Sequence, residues 1–110
     1  MSSSERGDRF EQLVENQLRE ALTSRRLGLL PESATVYRHK GYFSKDRNDV
    51  IIIDVSIEIV LPGASTWCIL WAWECKDYER PVEVGKVEEF YSKLLQIGGA
   101  NVKGDFASAG

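Results

Sequence analysis

The order of hydrophobic patterns along this chain predicts an α/β sandwich, a mixed sheet packed by two helices. Three observations carry the prediction: an amphipathic helical stripe near the N-terminus, two β-branched and aromatic runs meeting across one Pro/Gly turn, and a second helical stripe followed by a short β-prone segment.

Ser2–Gly7 is small and polar and reads as a frayed terminus or a cap region. From there Phe10, Leu13, Val14, Leu18, Ala21 and Leu22 recur at helical spacing, which predicts a helix over Asp8–Leu27 stopping near Gly28. Glu11 falls at the edge of that stripe, about 20° from both Leu18 and Leu22 on a wheel of ~100° per residue, and so points toward the margin of the sheet. Asp8-Arg9-Phe10-Glu11 also has capping-box spacing, which offers Glu11 a purely local role. Thr35–Phe43 is predicted as a first strand bent at Gly41, and Ser44–Asn48 as a charged loop. Ile51–Leu61 and Trp67–Lys76 follow as an antiparallel hairpin around Pro62-Gly63-Ala64-Ser65. Asp77–Pro81 is a polar connection. Val84, Val87, Phe90, Tyr91, Leu94 and Leu95 then line a second helix that Gly98-Gly99 stops, and Asn101–Ala107 starts one more strand.

Within the hairpin the odd positions, Ile51 to Ile59 and Trp67 to Cys75, are all apolar. A turn centred near Ala64 sets Asp54 directly across from Glu74, and directly opposed residues share a face. Asp54, Glu74 and Lys76 are therefore expected together on the even face. Asp49 has the wrong parity to join them. Glu58 has the right parity but lies opposite Leu70, roughly 13 Å from Asp54 at ~3.4 Å per residue. A bulge at this level would redraw the faces.

Two carboxylates a few ångströms apart repel unless one is protonated or a cation bridges them. Asp54 and Glu74 with room for water suit Mg²⁺ or Mn²⁺, which often takes only one or two protein carboxylates. Lys76, two residues further on the same side, is placed to orient or help deprotonate a metal-bound water, an arrangement that hydrolyses phosphodiesters. The bland alternative is a Glu–Lys ion pair at the solvated end of a strand, worth little.

Asp54 followed by Glu74-Cys75-Lys76 resembles the D…(D/E)-x-K signature of the PD-(D/E)XK nuclease superfamily. Phe10-Glu11, Asp54-Val55-Ser56-Ile57-Glu58, Glu74-Cys75-Lys76-Asp77-Tyr78 and Val87-Glu88-Glu89-Phe90 resemble its Mrr-like restriction endonuclease branch, from about Arg9 to the C-terminus. Ile53 stands where the superfamily's name has a proline, a variable position. The resemblance implies a restriction-endonuclease-like fold and a Mg²⁺-dependent DNA endonuclease of the restriction or DNA-processing kind. It implies that Asp54, Glu74 and the backbone carbonyl of Cys75 hold the metal, that Lys76 positions the attacking water, and that Glu11 reaches the metal through water. It also implies a single nuclease-like domain lacking the last strand and helix of the full fold, so that an uncovered sheet edge invites self-association. The rival functions are a catalytically silent nuclease-like domain that binds DNA or a protein partner, and a metal-free structural module.

With 110 residues and 43% hydrophobic content the chain is expected to form one domain. No run reaches the ~18 apolar residues needed to span a bilayer and Met1–Arg9 has no signal-peptide core, so a cytoplasmic location and no membrane partner are expected. Cys68 and Cys75 have opposite parity on one strand and cannot pair, so they read as two buried thiols. His39 is the only histidine, which argues against a zinc site or a histidine-dependent nucleophile. A net charge of −3 argues against a constitutively sticky nucleic-acid binder but not against a nuclease whose site carries the negative charge. Basic residues at Arg25-Arg26, Arg38-His39-Lys40 and Lys45-Asp46-Arg47 either track phosphates or form solvated loops. Trp71 and Trp73 are expected in the core, and Trp67 is the tryptophan open to exposure.

Overall fold

A computed structural model describes residues 3–44, 47–76, 84–98 and 102–108. Helix α1 spans Ser3–Thr23, a 3-10 turn covers Pro31–Ser33, and strands β1 (Ala34–Ser44), β2 (Asp49–Ile59) and β3 (Ile69–Lys76) follow. Helix α2 (Val84–Gly98) and strand β4 (Val102–Ser108) complete the described elements. The sheet order is β1-β2-β3-β4, antiparallel between the first three strands and parallel between β3 and β4. This is the expected α/β arrangement with a mixed sheet.

Each helix covers one face. Val14 and Leu22 of α1, with Phe10 and Leu18 beside them, pack on Val36, Val55, Ile57, Ile59 and Cys75. Phe90 and Leu94 of α2 pack on Tyr42, Ile51, Ile53, Leu70 and Ala72. The α1 stripe is thus a single i, i+4 row, and Leu13, expected within it, is 51% exposed.

Helix α1 begins five residues before the expected Asp8, because Glu5 in the first turn favours the helix N-terminus and Gly7 meets no obstacle. Asp8 is therefore not a cap, and the capping-box reading of Glu11 falls; the Asp8 carboxylate pairs with Arg38 instead. The helix ends before Leu27. Arg25 takes the left-handed conformation (φ 63°), its N–H donates to the Leu22 carbonyl (3.1 Å), and the Arg26 N–H donates to the Ala21 carbonyl (2.9 Å). These are the two bonds of a Schellman cap, with arginine where glycine is usual.

Between β2 and β3 the Ala64 N–H donates to the Leu61 carbonyl (3.0 Å) with Gly63 at φ 84°, the signature of a type II turn with Pro62 in its first central position. The strands pair in the expected register, Val55 with Trp73 and Glu58 with Leu70. β2 begins two residues earlier than expected, at Asp49, and ends two sooner, while β3 begins two residues later and ends at Lys76 as expected, so residues 60, 61, 67 and 68 lie outside the strands.

The expected parity holds only in part. Ile51 and Ile53 pack with α2, whereas Val55, Ile57 and Ile59 pack with α1, although all five positions are odd. Strict alternation would keep them on one face. The break lies at Asp54, and β1 breaks at the same level. Val36 belongs to the α1 side and Tyr42 to the α2 side, and His39, which stands across from Asp54, has φ 55° and is absent from the run of paired residues. Arg38 and His39 both reach α1, while Lys40 reaches Glu58 on the other face. Because both strands break together, the count between them is preserved. Gly41, expected to bend β1, has no left-handed backbone. It instead leaves room for β2, since a Cβ there would lie 2.3 Å from Val50 Cγ1.

Candidate metal centre

Three elements converge where β1 and β2 lose their alternation. Glu11 comes from α1, one turn after Asp8 and one turn before Glu15, on the edge that faces β1. His39 and Asp54 come from the facing break. One ligand atom from each of Glu11, His39 and Asp54 lies within 4.8 Å of the others. The His39 Nε2 meets Glu11 Oε2, the imidazole donating because a carboxylate can only accept.

Arg38 braces this corner from the inner side. Its guanidinium donates to Gln12 Oε1 (2.8 Å) and to the Asp8 carbonyl (3.2 Å), pairs with the Asp8 carboxylate, and comes within 3.5 Å of the same Glu11 oxygen that meets His39. Glu11 is thereby held between two β1 side chains.

The Asp54 carboxylate is fixed from the other strand. Main-chain pairing of β2 with β3 runs only as far as Val55 and Trp73, and beyond it Asp54 Oδ2 accepts the Cys75 N–H at 2.9 Å. A side chain replaces the next ladder bond, which ties the middle residue of Glu74-Cys75-Lys76 to Asp54. Burial, together with the carboxylates of Asp54, Glu11 and Glu74, pushes the Cys75 thiol up to about 12, with Arg38 acting in the opposite sense. All three carboxylates therefore act on one buried sulfur.

The expected residues divide as follows. Glu11 and Asp54 are brought together, as the wheel position of Glu11 predicts. Glu74 is half-buried at the end of β3, but alternation along that strand, with Trp73 and Cys75 on the α1 side, turns it to the face opposite Cys75. The shared even face of Asp54 and Glu74 is thus lost, because Asp54 turns with the break toward α1. Among the described residues, Glu74 does not join the group that Glu11, His39 and Asp54 form. Lys76 ends β3 opposite Ser108 of β4, and its side chain lies outside the described residues, as do Lys45, Asp46, Asp77 and Tyr78.

The two rival carboxylates are engaged elsewhere. Asp49 is exposed and accepts the Val50 N–H at 2.7 Å. Glu58 is buried on the α2 side, where it accepts from Tyr42 Oη (2.7 Å) and pairs with Lys40, while Tyr42 Oη also meets Ser56 Oγ at 2.8 Å. Burial raises the Tyr42 hydroxyl pKa well above its ordinary range, opposed by the Ser56 bond and reinforced by Glu58. Trp67 is half-buried against this cluster, edge-on to Tyr42 at 6.3 Å, and not fully exposed. Trp71 and Trp73 pack edge to face at 6.4 Å, half-buried beside the α1 cluster. Cys75 is buried as expected, whereas Cys68 is only half-buried, and both are free thiols.

His39 is the member that sequence reasoning missed. It reads as part of a basic run, and the clue was its register. A strand ending at Ser44 and paired with Asp49 puts His39 across from Asp54. No helix among the described residues is long and apolar enough to cross a membrane. The chain matches no model of a known protein family, no curated protein and no solved structure.

Proposed function

We propose that this chain is a divalent-metal-dependent DNA endonuclease domain of restriction-endonuclease-like fold and Mrr-like kind, acting on phosphodiester bonds. The observation that carries the reading is the bond from the Cys75 N–H to Asp54 Oδ2, which joins the acidic residue of β2 to the Glu74-Cys75-Lys76 segment. The chemistry suits the ion, since the Asp54 carboxylate meets a second carboxylate, Glu11, from another element at a half-open corner of the sheet. Asp54 and the Cys75 carbonyl would hold Mg²⁺ or Mn²⁺, and Glu74 would complete the set by turning in from the face on which alternation along β3 leaves it. Bound there, the metal would supply an acidified water and neutralise charge developing on the phosphate. Lys76 would orient the attacking water through its ammonium, and Glu11 would act at the same corner beside Asp54. DNA would be the partner, and the outer strands β1 and β4 of the described sheet would offer edges for homo-oligomers.

Plasmid nicking with Mg²⁺ or Mn²⁺ tests the reading. The wild-type chain is expected to convert supercoiled to nicked DNA, and Lys76→Ala to lose cleavage while titrating metal as the wild type does, because an ammonium repels the ion and acts on water. Equal nicking by both proteins would exclude the assigned role of Lys76. No nicking by either would favour the silent DNA- or protein-binding domain.

A further inference from the structure

The histidine in this corner changes which ion it should take. A site of two carboxylates and water is well suited to Mg²⁺, which prefers hard oxygen ligands and retains its hydration. Adding an imidazole moves the preference toward first-row transition ions, for which nitrogen is a good ligand. Glu11, His39 and Asp54 present two oxygens and one nitrogen within 4.8 Å of one another. Atoms bonded to one ion at about 2.1–2.2 Å lie about 3–4.4 Å apart, so closure needs side-chain movements on the order of an ångström.

The surroundings favour such a site. Asp54 is held by the Cys75 N–H and Glu11 is approached by Arg38, so both carboxylates are oriented by groups outside the triad. The His39 side chain is 50% exposed, which leaves solvent access to the metal-facing side. The charged groups around it are Glu11, Asp54, Arg38 and Asp8, and the two carboxylates outweigh the one guanidinium once Asp8 is paired with Arg38.

We propose that His39 is a direct metal ligand together with Glu11 and Asp54, and that this site takes a first-row transition ion, with Mn²⁺ as its probe, in preference to Mg²⁺. In this arrangement His39 gives up the Nε2 proton it donates to Glu11 and carries its hydrogen on Nδ1 instead, so that the Nε2 lone pair goes to the ion and the bond to Glu11 is replaced by two bonds to the same metal. The inference rests on the proposed function only in placing an ion at Asp54, and it requires no cleavage.

Because the chain has one histidine, the test is direct. Pulsed electron paramagnetic resonance on the wild-type protein with substoichiometric Mn²⁺ should show modulation from a directly bonded imidazole nitrogen, a readout that needs no variant to fold. Calorimetric titration should give Mn²⁺ an affinity at least about tenfold above that of Mg²⁺, with His39→Gln losing about tenfold or more for Mn²⁺ and less than about threefold for Mg²⁺. If both ions bind, Asp54→Asn abolishes binding, and yet no nitrogen coupling is seen and His39→Gln titrates like the wild type, the histidine assignment is overturned and the nuclease reading stands. If neither ion binds the wild-type protein, both are overturned.

Discussion

Cys75 reports on the corner it occupies. Its thiol is pushed up to about 12, first by burial and then by the charges of Asp54, Glu11 and Glu74. At pH 8 the native protein then holds far less thiolate at this position than the roughly one quarter of an ordinary thiol once the chain unfolds. Iodoacetamide at pH 8 should leave Cys75 unmodified over a period in which urea-unfolded protein is fully alkylated there, as peptide mass spectrometry would show. Rapid native labelling of Cys75 would mean that the corner opens. The same shift has a sign for stability. The unfolded thiol gives up its proton near its ordinary value while the folded one keeps it to about 12, so the unfolded state gains as pH rises. The contribution of Cys75 is intact below pH ~8.5 and is lost progressively from there to about 12. Residue types made Asp54 and Glu11 conspicuous in the sequence, whereas His39 was hidden because its place depends on a left-handed backbone that no pattern of apolar residues reveals.

At the scale of elements, the join of α2 to β4 depends on one missing side chain. A Cβ at Gly104 would lie 2.1 Å from Leu94 Cδ1 and 2.8 Å from Phe90 Cε2, and Phe90 is among the most buried side chains of the core. Tyr91 Oη also donates to the Gly104 carbonyl at 3.2 Å, so the helix is already seated on this strand. Gly104→Ala should therefore destabilise the fold by about 1–3 kcal/mol through overpacking, measured as a lower urea midpoint at unchanged slope. Gly7→Ala, in open space on α1, is the control and should be neutral or stabilising. The elements themselves were legible because periodicity and turn residues encode them locally. Phe10, Val14, Leu18 and Leu22 mark α1, Pro62-Gly63 marks the turn, and the centre near Ala64 gave the β2–β3 register correctly. The face of each residue was less legible. Alternation assumes an unbroken pleat, and the coupled break at His39 and Asp54 moves Ile51 and Ile53 to the α2 side without altering the register.

For the whole molecule, the break is what lets a helix, an outer strand and an inner strand meet at one point. Regular alternation would have sent His39 and Arg38 to opposite faces, and Asp54 away from Val55 and so away from α1. Folding instead gathers Glu11 and Asp54 at one corner, where their repulsion opposes the native state unless a positive charge lies between them. Arg38 and His39 supply part of it. A bound divalent ion should supply more, and a ligand that binds only the native state stabilises it by about 2.7 kcal/mol at a concentration 100 times its dissociation constant. For a domain of this size that corresponds to a rise in melting temperature on the order of 10 °C. Thermal unfolding should therefore move upward when Mn²⁺ replaces EDTA, and the increase should vanish in Asp54→Asn while persisting in Asp49→Asn, whose carboxylate caps its own strand in solvent. Equal increases in both variants would place the ion elsewhere, because Asp49 and Asp54 are five residues apart on a strand and, at ~3.4 Å per residue, roughly 17 Å from sharing one metal.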